Sequence, residues 1–259
     1  MPRAFTRAVS PRLAECQLTH LKRTPIDAAR AAVQHAEYEA ALAGAGFEIV
    51  RLPELADDPD AVFVEDTALL LDGHAIITRP GAPSRIGEVD STADGLKGHF
   101  DLHRIERGHV DGGDVLRIGK LIYVGLSTRT DAEGVEALAE IAGPLGFKVV
   151  TAELRDCLHL KTGATFAGVD GRGVPVLIYH ERSVDPRQFS GVAPMAVAAE
   201  EAAAANCVRA GRRLVVPAEN PKTAAALRDR GFDVVEVDVS ELQKAESGVT
   251  CMSLIDDRD

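Results

Sequence analysis

GFEIVRLPEL (residues 46–55), GFKVVTAEL (146–154) and GFDVVEVDVSEL (231–242) share one pattern: a glycine, a phenylalanine, an apolar run and a closing Glu-Leu. Each follows an alanine-rich stretch with helical spacing (ARAAVQHAEYEAALAGAG, AEGVEALAEIAGPLG and NPKTAAALRDRG). The glycine is therefore placed to end a helix in the left-handed conformation, and the phenylalanine to lead into a strand. Around these copies stand paired apolar runs joined by turn residues: FVEDTALLL-DG-HAIITR, GGDVLRI-GK-LIYVG, GATFAGVDGRGVPVLIYH and ANCVRA-GR-RLVVP. They read as hairpins. The copies begin at 46, 146 and 231, and half of each interval is a module of about 50 residues, so about five modules fit in the 259-residue chain. The fifth hairpin is split between the C-terminal GVTCMSLI and the opening AFTRAV. Pairing those two segments closes a ring and removes exposed sheet edges. The expected fold is an α/β propeller of five modules with pseudo-fivefold symmetry and outer helices, a single domain over residues 1–259 whose central channel is lined by strand starts. An open doubly wound sheet fits less well, because the hairpins demand mostly antiparallel neighbours.

Composition narrows the function. At roughly 150 residues per domain the length supplies a sizeable core without staples. Hydrophobic residues at 46% and charged residues at 27% place the chain among globular proteins. A net charge of −11 argues against nucleic-acid and anionic-membrane partners and favours a small cationic one. Trp is absent and aromatics are 4%, which leaves little for stacking bases. No run approaches the roughly 18 apolar residues of a membrane span and the N-terminus lacks a secretory apolar segment, so a cytoplasmic location is expected. Cys16, Cys157, Cys207 and Cys251 show no C-x-x-C spacing, so disulfide, zinc and redox frameworks are not indicated.

The first strands of the modules begin on unusually polar residues: Glu65-Asp66, Asp111-Gly112-Gly113-Asp114, His159-Leu160-Lys161, Asn206-Cys207 and Thr250-Cys251. Brought together on an axis, these give a thiol nucleophile, an imidazole proton shuttle and carboxylates able to receive a delocalised cation such as guanidinium. Plainer readings compete with several of them. Cys207 begins a hairpin and reads as a small buried hydrophobe. Cys157 and His159 lack a complementary pair at zinc-finger spacing. Asp72-Gly73 and Asp170-Gly171 read as turn formers. His35, His74, His99, His103, His109 and His180 are scattered.

The segments PDAVFVEDTALLLDGHAIITRPGAPSR, VDGGDVLRIGKLIYVGLSTRTDAEG, LHLKTG, AANC and SGVTCMSL resemble, in order and spacing, the dimethylarginine dimethylaminohydrolases of the guanidine-modifying superfamily. The resemblance covers most of the chain. It implies a five-bladed α/β propeller and hydrolysis of mono- and dimethylated arginine to citrulline and methylamine or dimethylamine, with no metal or organic cofactor. Carried over by position, it makes Cys251 the nucleophile, His159 the general acid/base and Asp66 the guanidinium-binding carboxylate. The second acid, Glu in some members and Asp in others, falls on Asp111. Arg85 and Arg129 match residues that hold the substrate α-carboxylate at the channel mouth, Asp60 and Glu65 match polar contacts near its amino end, and Leu18 and Ala245 match backbone contacts. A pairing of two copies stays open.

Arginine deiminases and amidinotransferases use the same thiolate chemistry but typically carry Asp two residues after the histidine, where this chain has Lys161. A cation there removes a contact to the second terminal nitrogen and leaves room for a methylated one. A catalytically silent binder of cationic amino acids is disfavoured by the presence of both nucleophile and acid/base.

Overall fold

The computed structural model describes residues 1–258. Its strands, numbered in chain order, form five three-stranded sheets. The first joins the two ends of the chain: β15 (Leu254–Asp256) pairs antiparallel with β1 (Arg3–Thr6), and β1 pairs parallel with β2 (Glu48–Arg51). The same order, a hairpin followed by a parallel third strand, recurs in β3 (Ala68–Leu71), β4 (His74–Ile77) and β5 (Asp101–Arg104). It recurs again in β6 (Val115–Ile118), β7 (Leu121–Gly125) and β8 (Lys148–Ala152). The fourth sheet is β9 (Ala164–Val169), β10 (Pro175–Tyr179) and β11 (Ala193–Ala196), and the fifth is β12 (Val208–Ala210), β13 (Arg213–Pro217) and β14 (Asp233–Val237). The expected five-module architecture, with its split hairpin Arg3↔Asp256, is the observed one.

The repeated Gly-Phe owes its form to local physics. Helices α1 (Ala28–Gly44), α3 (Ala132–Ala142) and α5 (Pro221–Asp229) each run into a glycine at positive φ: Gly46 at 93°, Gly146 at 83° and Gly231 at 87°. The following amide then turns back onto the helix, Phe47 to the Leu42 carbonyl, Phe147 to Ala142 and Phe232 to Leu227, satisfying a carbonyl the helix leaves unpaired. Each phenylalanine ring is buried against its own helix, a contribution of about 1.5 to 3 kcal/mol per ring. At the other ends, Asp27 and Asp131 cap α1 and α3 by accepting from the Arg30 and Gly134 amides.

Two features differ from the expectation. The fourth module has no outer helix. Its 13-residue connection contains Asp185-Pro186 and forms a single 3-10 turn, and Val184 and Phe189 cover the sheet instead, the Phe189 ring 4.9 Å from that of Tyr123. The axis, in turn, is lined by short helical turns immediately before each first strand: Val64–Thr67, Gly112–Asp114, α4 (Leu160–Gly163), Ala202–Ala205 and Thr250–Met252. A turn aims two consecutive side chains inward where a strand would aim only one. Helices α2 (Glu88–Leu96) and α6 (Ser240–Gln243) complete the outside. Among the described residues no helix is long and apolar enough to cross a membrane.

Candidate active site

The DGGD run of the third module sets the centre. A Cβ on Gly112 would fall 1.9 Å from the Glu65 carbonyl oxygen, and one on Gly113 would fall 2.6 Å from His159 Nδ1, so only glycine lets the neighbouring modules approach. The Gly113 amide donates to Asp66 Oδ1 at 3.0 Å. Asp111 accepts from the Gly81 amide at 2.8 Å through Oδ1, and its Oδ2 lies 3.1 Å from His159 Nε2. His159 Nδ1 is 4.0 Å from Asp66 Oδ1, which leaves the imidazole between two buried carboxylates. Burial alone would lower the His159 pKa, but Asp66, the hydrogen bond to Asp111 and the nearby Asp114 reverse this and hold it at about 9. The ring is therefore an imidazolium at neutral pH. Burial also resists ionisation of Asp66, yet His159 and Arg85 keep its carboxyl below the ordinary range.

Asp114, which the sequence reading left without a role, is wholly buried and orients this group. It accepts from the Ser127 and Thr130 hydroxyls at 2.6 and 2.7 Å and from the Leu160 amide at 3.0 Å, pinning the segment that carries His159. Its sequence signal was present: a second carboxylate after two obligatory glycines.

Cys251 is half-buried in the turn Thr250–Met252, with the Gly248 amide 3.4 Å from Sγ. Burial pushes its thiol up to about 12, with Glu65 and Asp66 adding to the effect, so the free protein holds a thiol at Cys251 and an imidazolium at His159. Only the thiolate fraction is nucleophilic, so Cys251 alkylation by iodoacetamide should climb about tenfold per pH unit between pH 7 and 9. A rate that levels off below pH 8 would contradict this environment. The other cysteines lie elsewhere: Cys16 and Cys207 are buried, the latter 3.1 Å from the Thr165 hydroxyl, and Cys157 is half-buried.

Three expectations change on contact with the geometry. Arg85 is not a free cation at a channel mouth. It is buried, donates to Asp66 Oδ2, to both Glu88 oxygens and to the Phe63 carbonyl, and lies within 3.4 Å of the Asp60 carbonyl. Arg85→Ala should leave Glu88 buried without its ion-pair partner and Asp66 with His159 alone, a loss of about 3 to 5 kcal/mol in stability measurable by urea unfolding. Glu65 and Asp60, expected together, stand apart. Asp60 accepts from the Gln17 amide, whereas Glu65 lies beside the Cys251 turn, 2.6 Å from Lys161 Nζ and accepting from the Thr250 hydroxyl at 2.6 Å. Lys161, expected only to remove an acceptor, also occupies a carboxylate.

Arg129 donates to the Thr19 hydroxyl at 3.0 Å and approaches Asp111 at 4.0 Å. Leu18 and Ala245 pack on the same apolar cluster as Cys251. A cavity of about 720 Å³ is lined by hairpin-turn residues such as Asp72, Gly119 and Gly211 together with Glu65, Lys161 and Thr250, but not by Cys251, His159, Asp66 or Asp111. Asp66, Asp111 and His159 offer ligand atoms within 4.8 Å of one another, a spacing that suits a metal ion or a planar organic cation. Two carboxylates with an imidazolium to donate protons suit the second.

The family model described as arginine deiminase matches residues 94–180. The protein named N(G),N(G)-dimethylarginine dimethylaminohydrolase of Streptomyces coelicolor is 40% identical over 97% of this chain and 96% of its own length. That of Pseudomonas aeruginosa is 36% identical over 88% and 89%. Among solved structures, the Pseudomonas aeruginosa dimethylarginine dimethylaminohydrolase, a cysteine-to-serine variant complexed with citrulline, superposes with a TM-score of 0.92 at 34% identity, covering 98% of this chain and 99% of that one. A histidine-to-glycine variant of a dimethylarginine dimethylaminohydrolase, as an adduct with S-methyl-L-thiocitrulline, gives 0.90 at 34% identity, covering 98% and 100%.

Proposed function

The chain belongs to the dimethylarginine dimethylaminohydrolase family, and from that premise we infer how its residues divide the work of hydrolysing N-methylated arginine to citrulline and an amine. The observation that carries the reading is the imidazole of His159 held between Asp66 and Asp111, on the ring of turns that also bears Cys251. The substrate guanidinium binds against Asp66 and Asp111 through paired hydrogen bonds, its positive charge offsetting the carboxylates that raise the Cys251 pKa. The thiol proton passes to solvent and the thiolate adds to the central guanidinium carbon, held at close range. His159, already protonated, gives its proton to the methylated nitrogen as the carbon–nitrogen bond breaks and the amine leaves. The S-amidino enzyme remains. Neutral His159 then takes one proton from water as it attacks the same carbon, and as the carbon–sulfur bond breaks the remaining hydroxyl proton passes to the departing thiolate, releasing citrulline and the free thiol.

Lys161 supports the hydrolase over the deiminase, the description borne by the matched family model. Lys161 on Oε1 and Thr250 on Oε2 already engage Glu65, and the Lys161 cation repels a second cationic N–H donor there, so Glu65 is a poor acceptor for a second unmethylated nitrogen. A buried donor without a partner costs about 1 to 3 kcal/mol, whereas a methylated nitrogen loses little. The specificity constant for methylated arginine should therefore exceed that for arginine by at least about tenfold. A panel of arginine, monomethylarginine, dimethylarginine and agmatine, scored for citrulline and for the amine released, tests this, and faster ammonia release from arginine would overturn it.

We assign the α-carboxylate end to Arg129, with Asp60, Leu18 and Ala245 around the substrate backbone, while Arg85, held by Asp66 and Glu88, serves the site by fixing Asp66. Asp60, whose carboxylate accepts from the Gln17 amide, is the acid proposed to receive the substrate ammonium. Agmatine lacks the carboxylate, and loss of one charge-assisted hydrogen bond, about 1.5 to 3 kcal/mol, should lower its specificity constant roughly tenfold or more relative to arginine, which is likewise unmethylated. Equal constants would remove the α-amino acid from the assignment.

A further inference from the structure

Asn206 occupies the fifth module's place on the axis and has no part in the chemistry above. It follows the turn Ala202–Ala205, is buried, and commits its whole side-chain amide to two distant segments. Nδ2 donates to the Lys161 carbonyl and to Thr250 Oγ1, both at 2.9 Å, and Oδ1 accepts from the Thr250 amide at 2.9 Å. Thr250 immediately precedes the nucleophile, and Lys161 lies two residues after His159. One side chain thus ties the turn bearing Cys251 to the turn bearing His159. Because Thr250 Oγ1 receives the Asn206 N–H, its own hydrogen is left to point at Glu65 Oε2. Gly248, whose amide faces Cys251 Sγ, completes the arrangement: a Cβ there would fall 2.3 Å from the Asn206 amide, so the nucleophile loop sits directly on Asn206.

We propose that Asn206 is a positioning residue, which sets the register between the Thr250–Met252 turn and the Leu160–Gly163 turn so that the thiol reaches the guanidinium carbon while the imidazole reaches the nitrogen that leaves it. The plainer reading of a buried, satisfied asparagine predicts lost stability alone. Registration predicts that correctly folded molecules turn over slowly. The proposal rests on the function above in taking Cys251 and His159 as the reacting pair.

The test measures kcat and KM per Cys251 that iodoacetamide labels, as counted by peptide mass spectrometry, in wild type, Asn206→Ala, Asn206→Asp, Thr250→Val and the double variant Asn206→Ala/Thr250→Val. A misplacement of about 1 Å can cost 100-fold, so kcat of Asn206→Ala should fall about 30- to 100-fold while KM stays within about threefold. Asn206→Asp keeps the acceptor for the Thr250 amide but cannot donate to Thr250 Oγ1 or Lys161, and should fall at least as far. The double variant should be within about threefold of the worse single one, since residues that act as a unit are not additive. Normal kcat per labelled site in Asn206→Ala, or losses that multiply in the double variant, would overturn the proposal. Should the Asn206 variants not fold, Thr250→Val alone reads the same contact, and an unchanged kcat there counts against it. If wild type labels at Cys251 yet makes no citrulline from dimethylarginine, the functional reading fails instead.

Discussion

Cys251→Ser should reduce citrulline formation by on the order of 10⁴-fold or more while leaving circular dichroism and thermal unfolding close to wild type, because the loss of a nucleophile that acts with its partners removes most of the catalysis at once. The reason lies in the protonation state across the channel. A serine hydroxyl needs a neighbouring base, and His159, held at about 9 by Asp66 and Asp111, is already protonated at neutral pH and has no vacancy for a proton. A thiol can lose its proton to solvent once a cationic substrate stands beside it, but an alcohol cannot at this pH. Cys16→Ser, Cys157→Ser and Cys207→Ser should stay active, since none of these lies on the Thr250–Met252 turn. Retention of more than about a tenth of the rate in Cys251→Ser would mean that another group makes the covalent bond.

His159→Gly should lose about 10² to 10⁴ in turnover, the usual contribution of a positioned acid/base, and should stop at a covalent stage. In the first half of the reaction the amine can still leave, slowly, by taking a proton from water. In the second half nothing activates the attacking water. Mass spectrometry of the quenched variant should show the S-amidino adduct on Cys251, and unmodified enzyme without turnover would sink the double role. A thermodynamic signature should accompany it. Without the imidazolium, Asp66 and Asp111 face each other across an empty space, with Arg85 bound to Asp66 and Arg129 4.0 Å from Asp111 as the cations still nearby. Binding of a guanidinium restores the missing charge, so dimethylarginine should raise the melting temperature of His159→Gly more than that of Cys251→Ser.

The features read correctly from the sequence are those that neighbours along the chain decide. A Gly-Phe after a helix is a cap within six residues, enforced by a positive φ that glycine tolerates and by a ring that folds back onto its own helix. Asp72-Gly73 and its counterparts fix hairpins by local turn geometry, and three copies of one ending were enough to count the modules and to foresee that the two chain ends must pair. The polar residues before each first strand were also visible, because apolar strands rarely begin that way. Their partners were not. Glu65 and Thr250 are 185 residues apart, Asn206 and Thr250 are 44, and Arg85 reaches Asp66 across 19, so these bonds exist only because the closed ring carries distant turns to one axis. Chain spacing could not tell an arginine exposed at a mouth from one buried between Asp66 and Glu88, nor show that Lys161 neutralises Glu65. Which charge meets which is settled by the desolvated interior, where a carboxylate without a partner is too costly to keep, and that requirement acts through space rather than along the chain.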